Sequence, residues 1–394
     1  MKKLIFVIVF IQLIPLVSLT QILIVPDDYE TIQGAVNAAT SNDTILIKPG
    51  TYFENIEVVD KNIVIGSLFL STNNEDYIDQ TIIDGSNNGR VIFYSGVDSP
   101  SQLTGFTIQN GAIEGVNHSG GGIAVYSSPN IELSNLKILE NTAVARGAGL
   151  TIWSSNASIS HVLFKENSAT GQTDPPHDGR GGALYFYNSQ TNLTNCEFIA
   201  NSADLGAGIF EHETNNSYLN CIFKDNIGIY PGGGVCTFSG IVNYDKCIFD
   251  NNSGDGAIYV EDTKLSVENC LLINNGTAIM GSDSVSIILS NSTIANNDCV
   301  FSPIYIHHSS DIFILNSILW NNCVSEIRLG LKNNLHISNT NIRNGIDGID
   351  TVSLGNKIYL HQGIYNMDPH FVDSINYHLA DFSPQLEKER IQLK

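Results

Sequence analysis

The sequence predicts an all-β chain folded as a parallel β-helix, in which coils of short strands stack along one axis. A short phrase indicates this fold: an apolar residue, two variable residues and an asparagine, followed by a glycine pair. The phrase occurs at least eight times, with its asparagines separated by 26, 34, 25, 26, 23, 22 and 25 residues. A repeat of about 20–50 residues is the signature of a solenoid. These asparagines are Asn141, Asn167, Asn201, Asn226, Asn252, Asn275, Asn297 and Asn322.

One repeat contains strands and turns but has no room for a helix. Residues 193–198 alternate apolar and polar side chains, which is the period of a strand. Residues 201–206 have the composition of a turn, and residues 208–212 predict a second strand. Because the repeat then starts again, each lap of short strands should form one coil, about 4.8 Å from the next.

A second asparagine column lies three residues before the apolar residue of the phrase. Asparagine tolerates left-handed backbone and bonds locally through its amide, so both columns are expected to be structural. Stacked in register, their amides can form a ladder from coil to coil. The glycine pairs predict corners with positive φ, and since no helix follows them they do not indicate phosphate loops. The second column comprises Asn135, Asn195, Asn220, Asn269, Asn291, Asn316 and Asn339.

Four of the seven cysteines share one position of the repeat, two residues before the key apolar residue. Along the chain this position changes from aromatic to aliphatic, then to thiol and to hydroxyl, which indicates an inward-facing stack. Buried cysteine behaves as a small hydrophobe, so packed and reduced thiols are predicted. Disulfides between coils or a metal site are the alternative, although no C-x-x-C zinc spacing occurs. The four are Cys196, Cys221, Cys247 and Cys270.

The two ends of the chain differ from the repeats. Lys2 and Lys3 precede an apolar run, and together they predict a secretory signal peptide over residues 1–20, with a retained signal anchor as the alternative. Residues 29–39 predict a short amphipathic helix that caps the first coil, as terminal repeats require. We therefore expect one β-helix domain with caps over residues 21–385 and a charged tail over residues 386–394.

The composition excludes several classes of partner. The net charge is −21, from 40 acidic and 19 basic residues, which argues against nucleic acid and anionic membranes. No later stretch predicts a transmembrane helix. No cofactor and no built metal site are predicted, although the acidic surface is compatible with calcium. We expect a monomer, secreted or held at the cell surface.

The Phe-x-x-Asn and Gly-Gly repeat resembles the right-handed parallel β-helix superfamily, often called pectin-lyase-like, and also the repeats of chlamydial polymorphic outer-membrane proteins. The segment Thr31-Ile-Gln-Gly-Ala-Val-Asn-Ala-Ala39 and the strand and turn after it are similar to the start of pectinesterases. The segment Asp368-Pro-His-Phe-Val-Asp373 resembles the ends of many bacterial β-helix proteins. These resemblances imply a right-handed, single-stranded β-helix over nearly all of the mature chain.

The same families imply no specific activity here. The Gly-Asp-x-Asp-Phe-Ile-Phe-Gly and Leu-Gly-Arg-Pro-Trp stretches of pectinesterases are missing from the sequence. So are the Asn-Thr-Asp, Gly-His-Gly and Arg-Ile-Lys signatures of polygalacturonases, and the Arg-x-Pro-x-x-Arg of pectate lyases. Function has to be argued from the site, because this fold serves many functions.

The strands after the glycine pairs carry a predicted aromatic surface. We align them on Ile123, Leu150, Leu184, Ile209, Val235, Ile258, Ile279 and Ile304. If these residues point inward, alternation points outward the residue after each of them and the residue two further along the strand. We call these positions the first and the second outward column. Large exposed apolar surfaces usually bind something, so this surface predicts a sugar-binding site, with stacking between coils or cover by loops as the alternative. The predicted binding residues are Tyr126, Trp153, Tyr187, Phe238, Tyr185 and Phe210, with Arg146 beside them.

The longest interval contains an insertion, residues 171–180, that should lie beside this surface. Arg180 falls in register with Arg146. An arginine with carboxylates and histidine suits uronate binding or base-assisted β-elimination, and a solvated loop is the alternative. The candidate catalytic residues are Arg180, His177, Glu211 and His212. Alternation points Glu211 inward, so either the register slips there or the carboxylate is buried.

The predicted function is therefore engagement of an extracellular polysaccharide, with acidic ones among the candidates, by a binding or surface protein. A polysaccharide lyase or related carbohydrate-active enzyme is one alternative, and a structural module or adhesin without a small ligand is another. A cluster of arginine, histidine and carboxylate in an open groove would favour the enzyme. A loop-covered aromatic strip would favour the structural module.

Overall fold

The computed structural model describes residues 20–98, 100–115, 119–171, 179–299, 301–373 and 377–380. In this part of the chain the fold is one right-handed parallel β-helix, as predicted. Three sheets run along the axis and enclose a single apolar core. Most of the predicted signal peptide (residues 1–19), His177 and the charged tail lie outside the described residues.

The strands are short and follow one another with few helices between them. The helices are α1 (Ile32–Ala38), α2 (Phe69–Thr72) and α3 (Asp76–Gln80), with a 3-10 turn at Gly345–Gly348. The strands are β1 (Ile22–Val25), β2 (Thr44–Ile47), β3 (Gly50–Phe53), β4 (Ile56–Val59), β5 (Val64–Ser67), β6 (Thr81–Asp84), β7 (Ile92–Ser95), β8 (Ser101–Gln109), β9 (Ala112–Ile113), β10 (Ile123–Tyr126), β11 (Ile131–Leu139), β12 (Thr142–Ala143), β13 (Leu150–Trp153), β14 (Asn156–Lys165), β15 (Ser168–Ala169), β16 (Leu184–Thr194), β17 (Glu197–Ile199), β18 (Ser202–Ala203), β19 (Ile209–Leu219), β20 (Ile222–Lys224), β21 (Ile227–Gly228), β22 (Val235–Asp245), β23 (Ile248–Asp250), β24 (Ile258–Glu261), β25 (Lys264–Glu268), β26 (Leu271–Ile273), β27 (Ile279–Asp283), β28 (Ser286–Ser290), β29 (Thr293–Ala295), β30 (Ile304–His308), β31 (Asp311–Leu315), β32 (Ile318–Trp320), β33 (Ile327–Leu331), β34 (Asn334–Ile342), β35 (Ile349–Thr351) and β36 (Lys357–Tyr365).

Each sheet is a column of parallel strands, one from each coil. Sheet 1 follows the glycine pairs and contains β4, β7, β10, β13, the first halves of β16, β19 and β22, and then β24, β27, β30, β33 and β35. Sheet 2 begins at β1 and β2 and includes the second halves of those long strands. Sheet 3 runs from β3 through β17, β20, β23, β26, β29 and β32. A smaller sheet of β9, β12, β15, β18 and β21 lines the corner between sheets 3 and 1.

The register predicted for sheet 1 is confirmed. Ile123 pairs with Leu150, Leu150 with Leu184, and Leu184 with Ile209, and the pairing continues without a slip through Ile304. Because a strand alternates its faces, this register fixes which side chains enter the core.

The four cysteines of the shared repeat position form the predicted interior stack. Their exposure is between 0 and 3%, and all four are free thiols, as is the buried Cys236. The stack passes from sulfur to hydroxyl, since the Cys270 N–H bonds the Ser292 Oγ at 3.0 Å. The prediction did not identify one disulfide, which joins Cys299 to Cys323 with 5.8 Å between their Cα atoms.

The asparagines of the phrase form a buried ladder between sheets 3 and 1. Asn201 donates its Nδ2 to the Asn226 Oδ1 at 3.0 Å, and its backbone N–H bonds the same oxygen at 3.1 Å. The prediction is wrong at one position, because Asn321 and not the exposed Asn322 occupies the last level. Glu326 completes the ladder by accepting the Asn321 N–H and Nδ2 at 2.8 and 2.7 Å. A carboxylate thus takes the place of the next amide oxygen.

The second asparagine column lies at the corner between sheets 2 and 3 with left-handed backbone, as expected. Asn220, for example, has a φ of 53°. The two glycines of a pair are required for different physical reasons. Gly147 has a φ of 56°, whereas a Cβ on Gly149 would lie 2.6 Å from the Ala183 carbonyl oxygen of the next coil. The second glycine is therefore required by close stacking and not by positive φ.

The first coil is closed by α1, whose Ile32, Ala35 and Val36 are buried. The helix is shorter than the predicted 29–39 but has the predicted buried face. The Glu54 carboxylate accepts the first N–H groups of the helix, at Ile32 and Gln33, each at 2.9 Å. The short helices α2 and α3 between β5 and β6 were not predicted, because they belong to no repeat.

Candidate functional site

The outer face of sheet 1 divides into a buried column and a half-exposed column. The first outward column, which directly follows the aligned inward residues, was predicted to face solvent. This prediction is wrong, because Tyr185 and Phe210 of that column are only 2 and 3% exposed. The corner before each strand covers them. Arg146, Arg180 and Leu205 pair as neighbouring parallel bridges in this corner and lie over the column. We call these three residues the corner stack.

The second outward column is half-exposed and carries one ring from each of five successive coils. We call its five members the aromatic ridge. The ring centroids of Tyr126 and Trp153 are 6.5 Å apart, those of Trp153 and Tyr187 are 4.5 Å apart, and those of Tyr187 and His212 are 5.4 Å apart. Such spacings are those of favourable aromatic pairs, so the ridge contributes to stability and also presents rings to solvent. Its members are Tyr126, Trp153, Tyr187, His212 and Phe238.

Two arginines of the corner stack lie among these rings. The Arg146 Cζ is 5.8 Å from the Trp153 centroid and 5.7 Å from the Tyr185 centroid. The Arg180 Cζ is 5.2 Å from the Phe210 centroid. Neither arginine forms an ion pair with any described residue, and the Nε of each is buried without a hydrogen-bond partner. The site therefore holds two positive charges that no carboxylate of the described chain neutralises.

The insertion is fastened directly beside this site. The backbone N–H groups of Gly171 and Gly179 both donate to the Asp204 Oδ2, at 3.2 and 3.1 Å. Asp204 is buried and precedes Leu205 of the corner stack. The two ends of the insertion thus meet at the edge of the ridge, while His177 falls in its undescribed part.

Glu211 lies on the opposite side of the sheet from the candidate arginines. It is fully buried, with no register slip, and its carboxylate accepts from the Asn216 Nδ2 and the Thr237 Oγ1, each at 2.8 Å, and from the Tyr218 hydroxyl. Burial raises the pKa of the Glu211 carboxyl, and these three hydrogen bonds oppose that rise. Glu211 therefore cannot act with Arg180 and His212 on one ligand, and the predicted catalytic set loses its carboxylate.

One part of the site was missed by sequence reasoning. Arg90 makes a similar contact two coils before Arg146, with its Cζ 5.3 Å from the Phe93 centroid and 5.7 Å from the Tyr126 centroid. Its Nε donates to the Ser119 carbonyl at 2.7 Å. A repeat alignment that started one coil earlier, at Ile92, could have included it, because Arg90 lies two residues before Ile92 in the sequence.

The described residues offer no group of three or more side chains suited to hold a metal ion. They also contain no helix with the length and apolar character needed to cross a membrane. A surface calcium ion stays a prediction.

A family model and two curated proteins match this chain. The family described as "Right handed beta helix region" matches residues 66–260 and 235–366. Metabotropic glutamate receptor-like protein P of Dictyostelium discoideum is 30% identical over 224 residues, covering 54% of this chain and 15% of that protein. Its relative R is 29% identical over 201 residues, covering 43% and 12%. The chain thus spans only a small part of the length of these relatives.

Several solved structures have a similar course of the chain. The A-module of the Azotobacter vinelandii mannuronan C-5 epimerase AlgE6 has a TM-score of 0.47 and 10% identity, covering 86% of this chain and 93% of that one. The GH87 alpha-1,3-glucanase of Streptomyces thermodiastaticus has a TM-score of 0.44 and 12% identity, covering 85% and 65%. Rice weevil pectin methyl esterase has a TM-score of 0.32 and 14% identity, covering 71% and 79%. Such similarities assign no activity to this chain.

Proposed function

Because this chain belongs to the right-handed β-helix family, whose fold does not specify an activity, we propose a function from its surface: the protein binds an acidic polysaccharide along the aromatic ridge. The observation that carries the proposal is that the guanidinium groups of Arg146 and Arg180 form no ion pair with any residue that the structure describes. They lie in register on adjacent coils, about 4.8 Å apart along the axis.

The chemistry of the site matches a chain of uronic acids. A guanidinium group binds a carboxylate through two parallel hydrogen bonds, and neither arginine uses its guanidinium group in an ion pair with a described residue. The half-exposed rings of Trp153 and Tyr187 offer flat apolar faces for the ring of a sugar. The chain as a whole carries a net charge of −21, so polyanions should bind at this ridge and be repelled elsewhere.

The two outward columns of sheet 1 support different roles. Tyr185 and Phe210, which are covered by the corner stack, support the structural alternative, and we assign them to stability. His212 supports the second candidate function, a lyase, because a neutral imidazole can accept a proton and its ring lies in the aromatic ridge, 5.4 Å from the Tyr187 ring. Without Glu211, binding is the function that needs the fewest additional groups.

The site of action is also part of the proposal. We infer that the protein acts outside the cell as a monomer, after removal of residues 1–20. The Cys299–Cys323 disulfide supports an oxidising compartment, since disulfides persist mainly there.

The test is calorimetric titration with oligogalacturonate, oligoalginate and neutral oligosaccharides of equal length. We expect the acidic chains to bind, and Arg146→Gln and Arg180→Gln each to weaken that binding about tenfold or more, since a charge-assisted contact is lost. Arg343→Gln is the matched control, because Arg343 donates to the Asn321 carbonyl and the Asn322 Oδ1, away from the ridge.

Two results would contradict the proposal. One is that no acidic chain binds the wild-type protein, and the other is that both ridge variants bind like wild type. Ultraviolet absorbance of unsaturated products in the same mixtures would instead support the lyase.

A further inference from the structure

A second open groove lies on sheet 2, around the corner from the aromatic ridge. Its volume is about 550 Å³, and it crosses the strands β5, β8, β11, β14 and β16. Five coils at about 4.8 Å each make it roughly 20 Å long, parallel to the axis of the β-helix. The groove is therefore long enough for a linear chain of several small units.

Two columns of polar side chains line the groove. In the first, Gln102, Glu132, Ser158 and Asn192 follow one another in register, one from each coil. In the second, Asn156 and Gln190 pair two residues earlier on the same face. Side chains two residues apart on a strand point the same way, so both columns face the groove.

Most of this polar capacity is unused. Gln102 donates its Nε2 to one Glu132 oxygen at 3.0 Å, and the Asn156 Oδ1 accepts the Gln190 backbone N–H at 3.0 Å. The second Glu132 oxygen, the Ser158 hydroxyl and the Gln190 amide bond to no described residue. The groove thus presents donors and acceptors side by side, at the spacing of the coils.

The lining excludes other classes of ligand. It has no lysine, arginine or aromatic side chain, and its one charged group is Glu132, so an anionic chain would be repelled. An extended peptide cannot add to this sheet as a strand, because the strands that form the groove are already paired with both neighbours.

We propose that this groove binds a neutral, hydroxyl-rich oligosaccharide. Sugar hydroxyl groups both donate and accept, as the amides and the carboxylate of this groove require. The pyrrolidine rings of Pro100 and Pro129, just before β8 and β11, supply an apolar surface for the C–H face of a sugar. The groove and the ridge share the coils of Tyr126, Trp153 and Tyr187, so they lie on the two sides of one corner.

The experiment uses neutral hexasaccharides of glucose, xylose, mannose and galactose, titrated into the full chain by calorimetry. Ser158→Trp fills the middle of the groove, and Ser266→Trp is the matched control, since Ser266 lies in the same outward column of sheet 2 beyond the groove. At least one neutral hexasaccharide should bind. Ser158→Trp should weaken that binding at least tenfold, and Ser266→Trp should leave it unchanged.

The result can be separated from the function proposed for the ridge. Arg146→Gln should leave neutral binding unchanged, and Ser158→Trp should leave binding of acidic chains unchanged. Circular dichroism of each variant shows whether it is folded, and Glu132→Gln provides a second variant of the same shape that should also weaken neutral binding. The proposal is overturned if no neutral hexasaccharide binds at millimolar concentration, if folded Ser158→Trp binds like wild type, or if only peptides or anionic chains occupy the groove.

Discussion

At the scale of single residues, Glu211 illustrates how a carboxylate can be kept inside an apolar core. Three donors surround it, so the charged form is partly compensated, yet burial still raises its pKa above the ordinary value of 4.5. A raised pKa in the folded state means that folding favours the protonated form. The stability from this group is fully present below about pH 4.5 and is lost as the pH rises through the raised pKa.

We therefore predict that Glu211→Gln reduces the loss of stability on going from acid to neutral pH. The neutral amide has nearly the same shape and no charge to bury. The measurement is the free energy of unfolding in denaturant across this pH range. Glu326 should contribute with the same sign, because burial raises its pKa too, so Glu326→Gln is a parallel case. This account would be contradicted if the free energy of unfolding of Glu211→Gln fell with pH as steeply as that of the wild-type protein.

Trp153 and Tyr185 separate binding from packing on the same face. Trp153→Ala should weaken binding of acidic chains about tenfold and lower the melting temperature only slightly, since the ring is half-exposed. Tyr185→Ala should instead destabilise the fold by about 3 kcal/mol, because it empties a covered site. Titration and thermal unfolding of both variants give the comparison. Unfolding of Trp153→Ala, with no ligand ever found for the wild type, would leave the ridge with a structural role only.

At the scale of elements, the buried ladder and the second asparagine column both consist of asparagine, but for different physical reasons. Asn226 donates to the Phe198 carbonyl and the Asn252 Oδ1 at 2.8 and 2.9 Å, and it accepts two bonds from Asn201. Asn220 is exposed, and its left-handed φ of 53° is what its position needs.

The prediction for these columns is a difference between two variants. Asn226→Ala should lower the free energy of unfolding by about 2–4 kcal/mol, because buried donors lose their acceptor. Asn220→Gly should change it by only a few tenths of a kcal/mol, at about the level of an exposed substitution, since glycine accepts left-handed backbone. Denaturant titrations of the two variants measure both values. Equal losses would show that the ladder carries no special stability.

Much of the element level followed from the sequence. The period of the phrase and the alternation of its strands gave the register of sheet 1, because both are local properties of the chain. That Asn321 and not Asn322 occupies the last level of the ladder could not be predicted from the period of the phrase. It depends on Glu326, five residues later, whose carboxylate reaches back to complete the ladder.

At the scale of the whole molecule, the reactivity of the cysteines tests how well the β-helix is packed. Five thiols are free and buried, and the other two cysteines form the disulfide between Cys299 and Cys323. We predict that a thiol reagent modifies no cysteine in the native protein, five in denaturant and seven after reduction in denaturant. Counting modified residues by mass spectrometry tests this. Rapid reaction of Cys196, Cys221, Cys247 or Cys270 in the native protein would contradict the interior stack, and rapid reaction of Cys236 would contradict its burial on the outer face of sheet 1.

The sequence by itself determined the solenoid, the inward face of each strand and the cysteine stack, since side-chain direction in a strand is set by the local period of two. Tertiary structure alone decided what covers the outward face. Tyr185 and Tyr187 lie on the same strand and the same side, yet the corner stack covers only Tyr185. Exposure depends on segments from neighbouring corners that pack over the sheet, and the local alternation carries no record of them. For the same reason only the folded chain gives Glu211 its three donors, and only there do Arg146 and Arg180 lie without an ion pair to any described residue.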